Sequence, residues 1–250
     1  MSFAGREEWT PGDPCTFYRI VVLASGNGSN FQAIVDALQH RALADMEGGL
    51  LLAPVTGAGE KAVMGPLVFD VVLMITDVPG APVLQRAWSR GIPTAVLPYA
   101  SYATLEEHDT HLADVVRESR ADLIVLAGYM RVLSAAFVQE FAGRIINLHP
   151  ALLPAFPGVR SIADALAYGV KVTGVTVHYV DEGVDTGPVI AQEPVRVNNS
   201  DTVESLAERL RAVEHRLLPE TIRMIAAGRV VAPGAGSRVV RIVQQGEKNE

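Results

Sequence analysis

Short apolar runs separated by segments of helical spacing constrain this chain more than any other feature. The runs are Arg19–Ala24, Phe69–Ile75, Thr94–Pro98, Asp122–Ala127 and Arg144–His149. A strand that is apolar on both faces has to be covered on both faces, as strands in the middle of a parallel sheet are. The intervening segments can supply that cover. Phe31, Ile34, Val35 and Leu38 fall on one stripe, Val83 to Arg90 is a second helix ended by Gly91, and Thr104 to Arg120 turns Leu105, Leu112, Val115 and Val116 inward. A short helix is expected from Ser134 to Phe141. Strand and helix in alternation predict an α/β fold, a mostly parallel twisted sheet with helices on both faces.

The character changes after Pro157. Gly174–Val180 and Val189–Val195 flank a polar, glycine-containing turn and predict an antiparallel extension of the same sheet in the C-terminal half. Asp201-Thr-Val-Glu204 fits a capping box before a long helix through Ile225. One domain over residues 17–228 accounts for most of the chain. Residues 1–16 read as a flexible N-terminal arm, 229–250 as a C-terminal tail, and the Gly- and Ala-rich stretch 42–66 as a loop insertion.

Composition narrows the partners. A net charge of −7 speaks against a general nucleic-acid or membrane-surface binder, while leaving room for an anionic small substrate held by a local cluster of donors. The single cysteine, Cys15, allows no intramolecular disulfide and fits a reducing cytoplasm. No run is long enough to span a bilayer, and the first residues lack the order of a signal peptide.

Three segments can carry chemistry. Ser25-Gly-Asn-Gly-Ser-Asn30 lies between a strand and a helix, where orphan amides and the helix dipole favour an anion. Phe31 stands where a dinucleotide fingerprint needs a third glycine, and no Gly-Lys-Ser/Thr ending follows, so a phosphate monoester fits better than NAD or ATP. A ligand-free tight turn is the competing reading. Asn147-Leu-His149-Pro150 ends a strand. Residues two apart share a face, so an amide and an imidazole project together at the carboxyl edge of the sheet, suited to a carbonyl passing to an oxyanion. Asp181-Glu-Gly-Val-Asp185-Thr-Gly187 could turn a carboxylate towards His149, orienting the imidazole and raising its pKa, although an acidic turn taken alone is usually a solvated one. His178 suits a packed core as well as a site. Gly128–Leu133 suits either a pocket wall or core. Arg196, Arg209 and Arg216 read as surface charges. No metal-ligand spacing and no Gly-x-Ser-x-Gly elbow is present.

Taken together, Val21–Asn30, Ala127–Leu133, Asn147–Pro154 and His178–Pro188 resemble the phosphoribosylglycinamide formyltransferases, within the folate-dependent formyltransferases and their Rossmann-like fold. The resemblance runs from about Tyr18 to about Gly228. It implies transfer of a formyl group from 10-formyltetrahydrofolate, as co-substrate and without a metal, to the amine of glycinamide ribonucleotide in purine biosynthesis. Asn147, His149 and Asp185 would be catalytic, with protonated His149 stabilising the oxyanion. Gly28, Ser29, Asn30, Arg211 and Glu214 would bind the ribonucleotide. Met130, Arg131, Val132, Leu133, Val180 and Asp181, with Asn147 and Asp185, would surround the folate. Small-molecule substrates and a cytoplasmic place follow, and a homodimer is compatible with it. Leu105 and Arg160 depart from the family pattern near the folate. A formyltetrahydrofolate hydrolase would use a similar trio but is expected to carry a regulatory domain before it. A methionyl-tRNA formyltransferase would carry a further tRNA-binding domain after it. A non-catalytic folate-binding relative would have lost part of the trio, which is intact.

Overall fold

The structure, a computed structural model, describes residues 15–42, 67–234 and 237–243. Most of the predicted arm and nearly all of the predicted insertion lie outside them. Strands β1 (Thr16–Leu23), β2 (Leu67–Thr76), β3 (Thr94–Val96), β4 (Leu123–Leu126), β5 (Ile145–His149), β6 (Val172–Tyr179) and β7 (Val189–Arg196) form one sheet in the order β3-β2-β1-β4-β5-β6-β7. Pairing is parallel from β3 to β5 and antiparallel from β5 through β6 to β7. The expected α/β architecture with its antiparallel extension is therefore present. The chain leaves β1 towards β2 on one side and returns to β4 on the other. That reversal opens a crevice at the carboxyl ends of the parallel strands.

Helices α1 (Ser29–Leu38), α2 (Pro82–Ser89), α3 (Leu105–Ser119), α4 (Ala135–Glu140), α5 (Ser161–Tyr168) and α6 (Val203–Ala226) cover the sheet. Side chains on a strand alternate between faces, and β1 shows it. Ile20 and Val22 join a core with Phe31, Phe69, Leu210 and Leu218, while Val21 and Leu23 join another with Leu112, Ile124 and Phe137. No helix among the described residues is long and apolar enough to cross a membrane.

Several boundaries differ from the sequence reading for identifiable reasons. β1 begins at Thr16, ahead of the apolar run, because its ladder with β2 continues through Thr16–Leu67. The pattern of α5 is too short to be recognised, yet Ile162 and Leu166 pack on the core. The cap of α6 is Thr202 rather than Asp201. Thr202 Oγ1 accepts from Ser205 N at 3.2 Å and Ser205 Oγ from Thr202 N at 3.0 Å. The Asp201 carboxylate is committed upstream, to Asn198 N at 2.6 Å, and to Arg209. Arg209 and Arg216 thus have partners, Asp201 and Glu193. Within the segment read as a tail, Val230–Val231 and Arg241–Ile242 pair as β8 and β9.

Candidate active site

Asn147 and His149 project from the last turn of β5 onto the same side, and Asp185 reaches them from the turn after β6. Asp185 occupies the left-handed region with φ 54°, which a non-glycine residue adopts only when its surroundings impose it. Asp181 imposes part of it, its Oδ1 accepting from Thr186 Oγ1 at 2.6 Å and Gly183 N at 3.1 Å. Gly187 imposes more, since a Cβ there would lie 1.7 Å from Tyr179 O.

The Asp185 carboxylate is the hub of the site. Oδ2 accepts from Gly158 N at 2.7 Å and stands 3.2 Å from His149 Nδ1, while Oδ1 accepts from Asn147 Nδ2 at 3.2 Å. Asn147 Nδ2 also lies 3.2 Å from His178 Nε2. His178 Nδ1 faces the Tyr179 carbonyl at 2.8 Å. A carbonyl only accepts, so Nδ1 carries the proton and Nε2 accepts from Asn147. His178, left undecided between core and site, is thus a buried support for Asn147. The signal for it was non-local, the cross-strand register Asn147–His178.

By the same logic His149 Nε2, 2.8 Å from Phe156 O, carries a hydrogen, and Nδ1 faces Asp185. Burial pulls the His149 pKa below the ordinary imidazole value. The Asp185 carboxylate and the hydrogen bond to Phe156 O pull it up without prevailing, and His178 adds to the downward side. The expected net rise through Asp185 is therefore not found, because desolvation outweighs the carboxylate. Resting His149 is mainly neutral at neutral pH. Burial pushes Asp185 up, but the facing His178 imidazole, the hydrogen bond from Gly158 N and the neighbouring His149 bring it down to about 2. It is a carboxylate throughout the physiological range.

At the other end of the crevice, Gly28 caps α1 at φ 74°, where a Cβ would meet Val83 Cγ2 at 2.4 Å, so the loop backbone can close only on glycine. Asn30 is held by Glu214. Its Nδ2 donates to Glu214 Oε2 at 2.9 Å, and its Oδ1 is buried without a partner. Asn30 Oδ1 and the Glu214 carboxylate are thus acceptors, and the backbone amides of the first turn of α1, Ser29 among them, are donors that the helix leaves free. Burial raises the Glu214 pKa, against the Asn30 hydrogen bond and the charge of Arg211. Arg211 and Arg86 both act on His215, which burial first and then these charges hold below the ordinary value.

A cavity of about 330 Å³ joins these parts. Its lining includes Asn30 and Glu214, the segment Met130, Arg131, Val132 and Leu133, and Asn147, His149 and Asp185 together with Val180 and Asp181. Gly28, Ser29 and Arg211 are outside its lining. Asp181 borders it, with its carboxylate engaged in its own turn.

The formyl transferase family model matches residues 55–222. Over 207 residues the chain is 38% identical to the phosphoribosylglycinamide formyltransferase of Bacillus subtilis (strain 168), covering 83% of this chain and 94% of that one. Over 221 residues it is 41% identical to the trifunctional purine biosynthetic protein adenosine-3 of Drosophila melanogaster, a match over 88% of this chain that spans only 15% of that protein. The crystal structure of glycinamide ribonucleotide transformylase 1 from Symbiobacterium toebii superposes with a TM-score of 0.77 at 38% identity, over 96% of this chain and 100% of that one.

Proposed function

The chain belongs to the formyl transferase family, and from that premise we propose that it moves the formyl group of 10-formyltetrahydrofolate to the amine of glycinamide ribonucleotide, a step of purine biosynthesis. The observation that carries this reading is one cavity whose lining combines an acceptor pair, the Asn147–His149–Asp185 cluster and apolar side chains. Asn30 Oδ1, orphaned and buried, and the Glu214 carboxylate suit the hydroxyls of a ribose. Met130, Val132, Leu133 and Val180 suit a flat ring system.

The chemistry follows from the hydrogen positions. His149 Nε2–H is the donor available to a developing formyl oxyanion once it exchanges Phe156 O for the substrate, and an Asn147 N–H released from Asp185 Oδ1 or His178 Nε2 is the second. The amine loses one proton in the reaction and the departing folate nitrogen gains one. Uptake of that proton at His149 Nδ1, through water, places an imidazolium against Asp185 and strengthens Nε2–H as a donor while the oxyanion exists. The same proton then returns to the leaving nitrogen.

The test supplies 10-formyltetrahydrofolate with and without glycinamide ribonucleotide and follows deformylated folate by absorbance. Turnover that depends on the ribonucleotide is expected; equal turnover without it would replace transfer by hydrolysis.

Glu214 gives a second check. Its folded pKa is raised, so its contribution to instability is absent below the unfolded value and grows as pH rises through the folded one. Glu214→Gln removes that penalty at neutral pH and can donate to the orphan Asn30 Oδ1. Melting temperature should rise by about 2–4 °C, the equivalent of about 1 kcal/mol for a chain of this size. The KM for the ribonucleotide should rise by about tenfold, as expected when a hydrogen bond to a charged group is weakened. Calorimetry and steady-state kinetics on the same preparation check both, and a variant no more stable than the parent would refute the account of Glu214.

A further inference from the structure

Outside the catalytic cluster, the two substrate-binding segments share one hydroxyl. Ser25 opens the glycine loop that leads to Gly28 and Asn30. Its Oγ donates to Asp77 Oδ1 at 2.6 Å and accepts from Met130 N at 3.0 Å, and its backbone N donates to Gly128 O at 3.0 Å. Asp77, 6% exposed at the end of β2, holds Arg131 with its other oxygen, Oδ2 to Nε at 3.0 Å. The Arg131 guanidinium lies 5.0 Å from the centre of the Tyr99 ring. The far end of the same wall hangs from a second buried carboxylate, Asp109 Oδ2, which accepts Ser134 N at 2.5 Å. Met130 to Leu133 are therefore suspended between two fixed points, and the first is also the root of the ribonucleotide loop.

We propose that Ser25 and Asp77 are positioning residues that couple the two substrate sites, so that ribonucleotide bound at the glycine loop tightens folate binding at Met130–Leu133, and the reverse. The proposal rests on the transferase reading above. A ligand that orders one loop fixes Ser25 Oγ, and the other loop then has less freedom left to lose when its own ligand arrives. Coupling of this kind is reciprocal. Neither residue lines the cavity, and their side chains are committed to each other, to Met130 N and to Arg131.

Tetrahydrofolate, which carries no formyl group, is the probe. Its Kd is measured by calorimetry with and without saturating glycinamide ribonucleotide, for the parent chain, Ser25→Ala and Asp77→Asn. The parent should bind it at least about fivefold more tightly with the ribonucleotide present, the lower end of typical coupling. In both variants the ratio should fall towards one, with kcat at saturation of both substrates far less affected than the two KM values. A role in general stability alone would weaken both Kd values by the same factor and keep the ratio, and that result overturns the proposal. So does a parent ratio of one. If Asp77→Asn does not fold, Ser25→Ala, which deletes a single oxygen, decides by the same ratio. Ribonucleotide-dependent turnover of the parent with unchanged ratios would sink the coupling alone, whereas absence of that turnover would sink the transferase reading with it.

Discussion

Replacing His149 by alanine should lower kcat by about 10²–10⁴-fold, the contribution of a positioned proton-transfer group, while the KM values of both substrates move much less. The expectation follows from what each nitrogen faces. Nε2–H is aimed where an oxyanion can form, now at Phe156 O, and Nδ1 is 3.2 Å from a carboxylate that can stabilise a second proton. His178, the other histidine lining the cavity, cannot take over, because it commits Nδ1 to Tyr179 O and accepts from Asn147 with Nε2. Groups that act as one unit are strongly non-additive. The Asn147→Ala/His149→Ala double variant should therefore lose little more than the weaker single variant. Steady-state kinetics on the two single variants and the double one check this, and losses that simply multiply would show that Asn147 and His149 act separately.

What the sequence reveals about this site depends on how local each interaction is. The strands are legible because burial on both faces leaves a continuous apolar run, and Asn147 and His149 pair by strand periodicity alone. Asp185 is not legible from its own surroundings. Its carboxylate becomes important through Gly158, His149 and Asn147, none of which is near it in the chain, and only resemblance singled it out from Asp181 and Glu182. The two aspartates of that turn differ in partners: Asp181 holds the turn and Asp185 faces His149. Asn30 shows the same dependence. Its neighbours in the chain do not reveal that its amide donates to Glu214, 184 residues away. His149 shows a different limit. A carboxylate neighbour raises an imidazole pKa, and the sequence can suggest the neighbour, but the opposing desolvation exists only after the chain has closed over the ring. The network of Ser25 and Asp77 likewise requires the parallel order β2-β1-β4, which brings three strand ends to one edge.

Asp185→Asn separates the electrostatic role of the hub from its shape. The amide keeps the volume and can still accept at Oδ1, so the turn held by Asp181 and Gly187 should persist. The charge that stabilises a protonated His149 is lost, and kcat should fall by about 10²–10⁴-fold, as when the carboxylate behind a catalytic imidazole is neutralised. The pH dependence carries a sign. The neutral form of His149 takes up the amine's proton, so activity falls as acidity protonates it in advance, and the acid limb of kcat/KM follows its pKa. Asp185 pulls that pKa up. Without it the limb must move to lower pH, while a limb set by Asp185 itself would lie near its own value of about 2, below any working range. Acid stability moves as well. The stabilisation from the depressed Asp185 pKa is fully present above its unfolded value of 3.8 and is lost as pH falls through about 2. The variant lacks this contribution, so its disadvantage in melting temperature should be greatest at neutral pH and shrink towards pH 2. A limb that stays in place, together with a kcat near that of the parent, would mean that the carboxylate only shapes the turn and that His149 works without it.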